Sequence, residues 1–347
     1  IQFKEIIRPV PQVSTQIQLA PNFSVGGYYQ FGWESDRLPP SGSYFSNLNI
    51  PWGSDQPFFL GIPSGPAAGN YVLSPGGDIK PPDSGQFGLQ AKWSVAETDL
   101  GFYFARYHDK DGQLYAALNV APPLAGSGTW QYIFPKDISV LGASASRSVG
   151  DFNLSAEASI RDNMPLRSTT MVYPSGFAPQ PTPATGRTAH VNFSWMAVFG
   201  PSFVAREAIF LGEVAWNRVL EAKDPDGTLD AGRTRDASIV RVLYTPTYRQ
   251  VVTGLDLSVP IGLGFTLNGN SSITPSWGAK HTGDFSIGLE GAYLDVWRFA
   301  LNYQHYFGNA MPFADYSPAA NGGPVIFGIG NSYRDRDYVS FSLRRTF

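Results

Sequence analysis

Apolar and polar positions alternate with a period of two through most of this chain, the spacing that puts one residue set on each face of a β-strand. Phe23, Val25, Tyr29, Phe31 and Trp33 fall on one side, with Ser24, Gly26, Tyr28, Gln30 and Glu34 on the other. Phe87, Leu89, Ala91, Trp93 and Val95 oppose Gln86, Gln90, Lys92 and Ser94; Phe152, Leu154, Ala156, Ala158 and Ile160 oppose Asn153, Ser155, Glu157, Ser159 and Arg161. Val191, Phe193, Trp195 and Ala197 oppose His190, Asn192 and Ser194, and Trp297, Phe299, Leu301 and Tyr303 oppose Arg298, Asn302 and Gln304. The row from Phe23 runs for about the 9 to 11 residues that a tilted strand needs to cross a bilayer, and the pattern recurs in the others.

A soluble sandwich also alternates, because one face is packed and the other wet. The connections separate the two. Short links are expected at Ala96–Asp99, Gly150–Asp151, Phe199–Ser202, Pro246–Arg249 and Leu294–Val296. They alternate with long segments at Arg37–Ser84, Asp109–Lys136, Asp162–Gly186, Val219–Arg235, Leu267–Thr282 and Gly308–Arg336. Tight turns at one end and long loops at the other are the habit of outer-membrane barrels. The expected fold is therefore all-β, an antiparallel transmembrane β-barrel of about 14 strands with long external loops, one domain over residues 1–347. About a dozen strands follow Phe23 and one, Thr15–Ala20, precedes it. That odd total points to a larger even number with an N-terminal portion missing. Three strands read irregularly: Leu100–His108 puts Arg106 on its apolar face, Ser139–Val149 is rich in small residues, and Val204–Arg218 changes phase near Ala208, as a bulge would cause.

Composition agrees. Apolar residues make up 43% and charged residues only 15%, where about a quarter charged is usual in soluble domains. The longest apolar stretch, Val251–Leu267, is broken by Asp256, Pro260, Gly254, Gly262 and Gly264, so no helix of about 18 apolar residues is available to span a membrane. The net charge of −3 argues against nucleic acid held by phosphate neutralisation, and without cysteine there is neither a disulfide nor a thiolate metal site. Ile1 opens with no initiator methionine and no charged-then-apolar leader, as after removal of a secretory signal. The C-terminal row Val339, Phe341, Leu343 and Phe347 resembles the signal that outer-membrane proteins present to the barrel-insertion machinery; Arg345 stands where that signal usually has an apolar residue.

Particular words carry a family resemblance. Tyr28-Tyr29-Gln30-Phe31-Gly32-Trp33, then Arg37-Leu38-Pro39-Pro40-Ser41-Gly42-Ser43-Tyr44-Phe45-Ser46, with Arg334-Asp335-Arg336-Asp337-Tyr338-Val339-Ser340 near the end, resemble a proteobacterial outer-membrane family catalogued as domain of unknown function (DUF) thirteen hundred and two. The resemblance covers most of the chain. It implies a bacterial outer-membrane barrel, members longer than this chain ahead of Ile1, and gene neighbours that include a periplasmic lipid-carrier-like protein and functions handling hydrophobic compounds. It implies no reaction and no site residue.

The expected inward face carries Lys92, Glu157, Arg161, Glu213, Asp256, Glu290, Arg298 and Arg344. These residues suit either an eyelet that selects solutes or a paired network that fills the lumen and fixes register. Asp224, Asp226 and Asp230 are spaced as in a calcium loop but lack its distal glutamate, and an Asp-Gly turn explains them equally; Asp109-Lys110-Asp111-Gly112 is a weaker instance. No cofactor is expected. His190 and Ser194, four apart on one strand, lie about 13 Å apart, too far for a base and nucleophile pair. The loop aromatics Tyr44, Phe45, Trp52, Phe58 and Phe59 suit an apolar entrance or an inward plug. The reading is an outer-membrane channel or transporter for a small hydrophobic or amphipathic molecule, in contact with outer-membrane lipid and lipopolysaccharide; the alternatives are a surface receptor or adhesin and an outer-membrane hydrolase.

Overall fold

The structure is a computed structural model that describes residues 8–37, 42–45, 57–62, 68–119, 125–169, 182–225, 227–310, 314–315 and 326–346. Alternation becomes one large antiparallel sheet of 14 strands. In chain order these are β1 (Gln12–Ala20), β2 (Phe23–Gln30), β5 (Gln86–Val95), β6 (Thr98–Tyr107), β9 (Ile138–Val149), β10 (Phe152–Pro165), β11 (Thr185–Phe199), β12 (Glu207–Lys223), β13 (Asp236–Val252), β14 (Leu255–Ser258), β15 (Ile261–Asn268), β16 (Gly283–Tyr293), β17 (Trp297–Phe307) and β20 (Tyr338–Arg345). The loops between them hold β3 (Phe58–Ile62), β4 (Gly69–Pro75), β7 (Gln113–Asn119) and β8 (Ser127–Ile133), together with the short pair β18 (Ala314–Asp315) and β19 (Ile326–Phe327).

Strands β14 and β15 both lie between β13 and β16, so they are two pieces of one stave interrupted at Val259 and Pro260. A proline has no N–H to give the ladder, and the chain steps aside there. Among the described residues the wall therefore has an odd number of staves, as the raw strand count in the sequence does. Its edges, β1 and β20, run in the same direction, and no ladder joins them among the described residues.

Antiparallel order puts the described ends of all six long segments at one end of the wall and the tight turns at the other. Ala96 and Glu97, and likewise Leu294 and Asp295, have positive φ, the backbone of a two-residue turn whose twist matches that of its strands. Two expectations fail here. Residues 246–249 are not a turn: β13 runs on to Val252, and the reversal is at Thr253 and Gly254. Pro246 is accommodated because its carbonyl accepts the Val259 N–H and its missing N–H faces the stave interruption. Nor does the chain change phase near Ala208; β12 begins at Glu207 and keeps register with β13 through Arg218, and residues 200–206 form the turn.

The outward rows are exposed and apolar, with Val13, Ile17, Leu89, Phe102, Phe104, Leu141, Ile160, Val191, Phe193, Leu301 and Phe341 all open. Aromatic residues collect at both ends of these rows. Trp93, Tyr293, Trp297 and the Phe152–Phe199 pair stand near the short turns, while Tyr29–Phe31, Phe265–Phe307 and His305 stand near the long loops. An apolar band between two aromatic girdles is the surface that a bilayer and its interfaces cover. Arg106 does sit on this outward face, where it pairs with Asp137 at 2.9 Å at the loop end. Arg345 is outward as well and lies 5.2 Å over the Trp297 ring, so at the interface a stacked cation replaces the apolar residue expected there. Val339, Phe341 and Leu343 form the exposed outward row of β20; Phe347 lies outside the described residues.

The first row ends earlier than expected. Strand β2 stops at Gln30, and Trp33, expected to face lipid, is only 7% exposed. Its ring packs 4.9 Å from Phe134, and its Nε1–H donates to the Asp109 carbonyl. Glu34, beyond the strand, pairs with Arg8 at 2.9 Å.

Candidate functional site: a loop-lined lumen

The first two long loops fold together. Their strands form a four-stranded sheet in the order β3-β4-β8-β7, with β4 and β8 parallel, around Tyr71, Leu73, Leu114, Leu118, Trp130 and Tyr132, all buried. Gly128 permits this packing, since a Cβ there would stand 2.4 Å from both the Ala117 carbonyl and Leu73. A buried polar latch holds the roots of these two loops at the wall. The Gln86 side chain donates to the Gly32 carbonyl and accepts the His108 N–H. The His108 Nδ1 accepts the Asp137 N–H at 3.0 Å while Nε2 meets the Ser84 carbonyl at 3.0 Å, which assigns the neutral tautomer with its proton on Nε2. His108 is thus a clamp on the roots of two loops.

The other loops pack against this unit. The Gln113 amide donates to the Leu166 carbonyl and accepts the Ser168 N–H, and Leu166, Ala184, Val219 and Ile273 make a small apolar core beneath. The Asp224 carboxylate accepts N–H groups from Thr228 and Leu229, and Asp230, fully buried, pairs with Arg233 at 3.3 Å and accepts the Gly232 N–H. Both carboxylates are therefore committed to their own loop; Asp226 lies outside the described residues, as does Trp52.

Between loops and wall is a cavity of about 610 Å³. Asp109 and Asp111 line it from the second loop, Arg167 and Arg233 from the third and fourth, Arg241 and Asp284 from the wall, and Trp277, Tyr306 and Tyr333 supply aromatic surface. Arg241 grips Asp284 through two contacts of 2.6 and 3.3 Å, and Gln304 donates to the same carboxylate. Burial, and then the charge of Asp111, push the Asp109 carboxyl up to about 7 against the pull of the 110–112 backbone N–H groups. Burial and Asp36 likewise raise Asp111. Arg167 is half-buried at the cavity edge, and desolvation together with the like charge of Arg233 holds its guanidinium down at about 10, with Asp230 opposing. Acids and arginines thus meet one water-accessible space from different sides.

A second cavity of about 490 Å³ adjoins, and Trp277 lines both. The Thr266 hydroxyl bonds the Trp277 carbonyl and fixes that residue's backbone. This second space gathers Glu157, Arg161 and Glu213 of the expected inward set, beside His190 and Asn192; Asn192 donates to Glu213 at 2.7 Å. The remaining members are not gathered. Lys92, opposite Ser24 and Gly101, and Glu290, Arg298 and Arg344 lie in the inward rows nearer the short turns and are exposed. Arg298 stands directly opposite Arg344, a like-charge pair that only open water tolerates well. Asp256, at the turn end, is held by Arg249 at 2.8 Å and by the Gln250 N–H, and Arg249 also binds Glu207, so this residue ties a turn. The sequence reading missed Arg241 and Asp284, because breaking the strand at Pro246 hid the inward alternation of Arg241.

The four histidines are dispersed. His108 is the latch, His190 bonds Thr188 at 2.9 Å, His281 stacks on Phe265, and His305 binds Asp337 at 2.6 Å on the outward face.

A single antiparallel wall, apolar outside between two aromatic girdles and polar inside, with inward-packed loops at one end, defines a transmembrane β-barrel of the bacterial outer membrane. The family described as "Protein of unknown function (DUF1302)" matches residues 1–347, and the chain belongs to it. No curated protein matches it in sequence. Among solved structures it is similar to OmpT, an outer membrane protein of Vibrio cholerae, at 10% identity and a TM-score of 0.38 over 96% of this chain and 86% of that one. It is similar also to the outer membrane channel DcaP of Acinetobacter baumannii, at 9% identity and 0.35 over 96% and 84%, and to OccD3 (OpdP) of Pseudomonas aeruginosa, at 10% identity and 0.20 over 100% and 97%.

Proposed function

We propose that this protein is an outer-membrane channel that passes a small amphipathic molecule through a lumen narrowed by its own loops. The observation that carries the reading is the cavity in which Asp109, Asp111 and Asp284 meet Arg167, Arg233 and Arg241, adjoining a second space that carries Glu157, Arg161 and Glu213. Opposed charges across a constriction set up a transverse field, which orders the dipole of a passing solute and penalises apolar molecules that lack one. Aromatic surface beside the charges gives the apolar part of that solute a contact of its own. Delivery or collection at the short-turn end by a periplasmic lipid-carrier-like partner belongs to the same proposal.

The test is conductance of the purified barrel in planar bilayers together with solute uptake into liposomes. Neutralising Arg241 and Arg233 is expected to shift ion preference toward cations, and neutralising Asp109 and Asp111 toward anions. A protein silent in bilayers, which also fails to speed uptake of amphipathic solutes, refutes the channel and leaves a receptor or an enzyme.

A further inference from the structure

Among the described residues, a run of apolar side chains on the inward face lies on three adjacent strands near the short turns. Along β11 the inward positions are His190, Asn192, Ser194, Met196 and Val198, because Asn192 bonds the inward Glu213 and the register is unbroken from Thr188 onward. Met196 stands opposite Leu211, which stands opposite Leu243; Val198 stands opposite Ile209. Alternation fixes the direction: Arg241, two residues before Leu243, reaches the inward Asp284, so Leu243 is inward too. These side chains are not packed away. Met196 is 49% exposed, Val198 57%, Ile209 43% and Leu211 36%, whereas the ladders continue the Met196–Leu211–Leu243 row through Asn153 and Ser148 on one side and through Gly262, Ser286 and Gln304 on the other.

Strands β11 and β12 are joined by residues 200–206, the longest of the short-side turns, and Phe203 at its tip is fully exposed. That turn is rigid: the Ser202 hydroxyl accepts N–H groups from Val204 and Ala205 and donates to the Ala205 carbonyl, while the Ser202 N–H bonds the same carbonyl. An ordered turn with a bare aromatic ring, joining two of the strands that carry the strip, fits a guide for apolar matter. One step toward the loops, about 7 Å along the strands, the row Ser194, Glu213 and Arg241 provides charge.

We infer that Met196, Val198, Ile209, Leu211 and Leu243 form a sliding surface for the hydrocarbon part of an amphipathic permeant, whose polar head rides at the Glu213 and Arg241 level, and that Phe203 extends this surface at the turn-side mouth. The inference rests on the channel reading and narrows its substrate class to molecules with one polar end and a flexible aliphatic or flat apolar end.

The experiment follows single barrels in planar bilayers while acetate, butyrate, hexanoate and octanoate are added in turn on the short-turn side, and compares the duration of current blocks. A tail lying against one wall gains about half of full burial, so block duration is expected to rise about twofold per methylene, and this slope is expected to vanish in the double variant Met196→Ser, Leu211→Ser. Durations independent of chain length in the wild-type protein, or a slope that survives in the variant, overturn the inference while leaving the channel standing. Should the variant fail to assemble, the absence of native cysteine permits a second measurement: Leu211→Cys labelled by a water-soluble maleimide. Protection by octanoate and not by acetate upholds the strip; equal labelling in both overturns it. A wild-type barrel silent to potassium chloride and to every carboxylate refutes the channel reading instead, and the labelling result then decides the strip by itself.

Discussion

Asp109 gives the sharpest test of how the loops are held. Its carboxyl is half-buried beside Asp111, its Oδ2 accepts the Gly112 N–H at 2.9 Å, and desolvation pushes its ionisation from the ordinary value of 3.8 up to about 7. Opening the loop returns the group to water and to its ordinary pKa. The docked form therefore binds the proton more tightly than the open form, and docking is strongest below about pH 4. Its stability falls as pH rises between those two values and carries the full penalty above pH 7. Two pH units inside that window correspond to about 3 kcal/mol, an upper figure for one group, or roughly a hundredfold in the opening equilibrium. Amide hydrogen exchange across residues 108–137, followed from pH 5 to pH 8 and corrected for intrinsic exchange rates, reads this directly: the wild-type loop is expected to open progressively more often as pH rises to 7 and then to level off. Asp109→Asn keeps an acceptor for Gly112 and removes the charge, so its loop is expected to stay near the low-pH protection throughout, apart from the smaller contribution of Asp111, which has the same sign. Identical pH profiles for the two proteins refute the reasoning, as does protection that increases with pH.

Other predictions follow from the wall and its ends. Phe102→Arg places a cation on the lipid face near the middle of β6 and is expected to destabilise the barrel by about 2–4 kcal/mol, read as a lower urea midpoint in lipid. Gln86→Leu leaves the His108 N–H and the Gly32 carbonyl without their partner and is expected to cost about 1–3 kcal/mol in docking of the first two loops, seen as new protease cleavage within 31–85 while the heat-modifiable barrel persists. Removal of Phe347 is expected to lower the amount of assembled barrel in the outer membrane; an unchanged heat-modifiable band would reject the terminal row as an assembly signal. Trp297→Leu removes the ring under Arg345 and is expected to cost no more than about 1 kcal/mol, a small shift in the same urea assay.

Much of the wall was legible in the sequence because each strand reports its own two faces. A residue such as Phe193 or Glu157 needs only its immediate neighbours to be assigned outward or inward, and the contrast between Ala96-Glu97 and the long segment beginning at Asp109 needs only chain length between apolar rows. The odd number of staves and the segregation of long loops followed from the same local pattern, and the family words around Tyr28 and Arg37 agree with it. Local reading failed where a neighbour in space overrides the pattern. Trp33 continues the apolar row perfectly, yet Phe134, a hundred residues later, captures its ring; Pro246 looks like a break, yet an interrupted stave opposite lets the strand run through. The charged cavity was beyond sequence for the same reason. Asp109, Arg167, Arg233 and Asp284 come from separate loops and strands, and only the inward packing of those loops brings their charges onto one space, where desolvation gives Asp109 and Arg167 ionisation behaviour that no local window contains. Met196 and Leu211 stand at inward positions by simple alternation, but their contiguity across three strands depends on register, and register is set by ladders between segments that the sequence keeps apart.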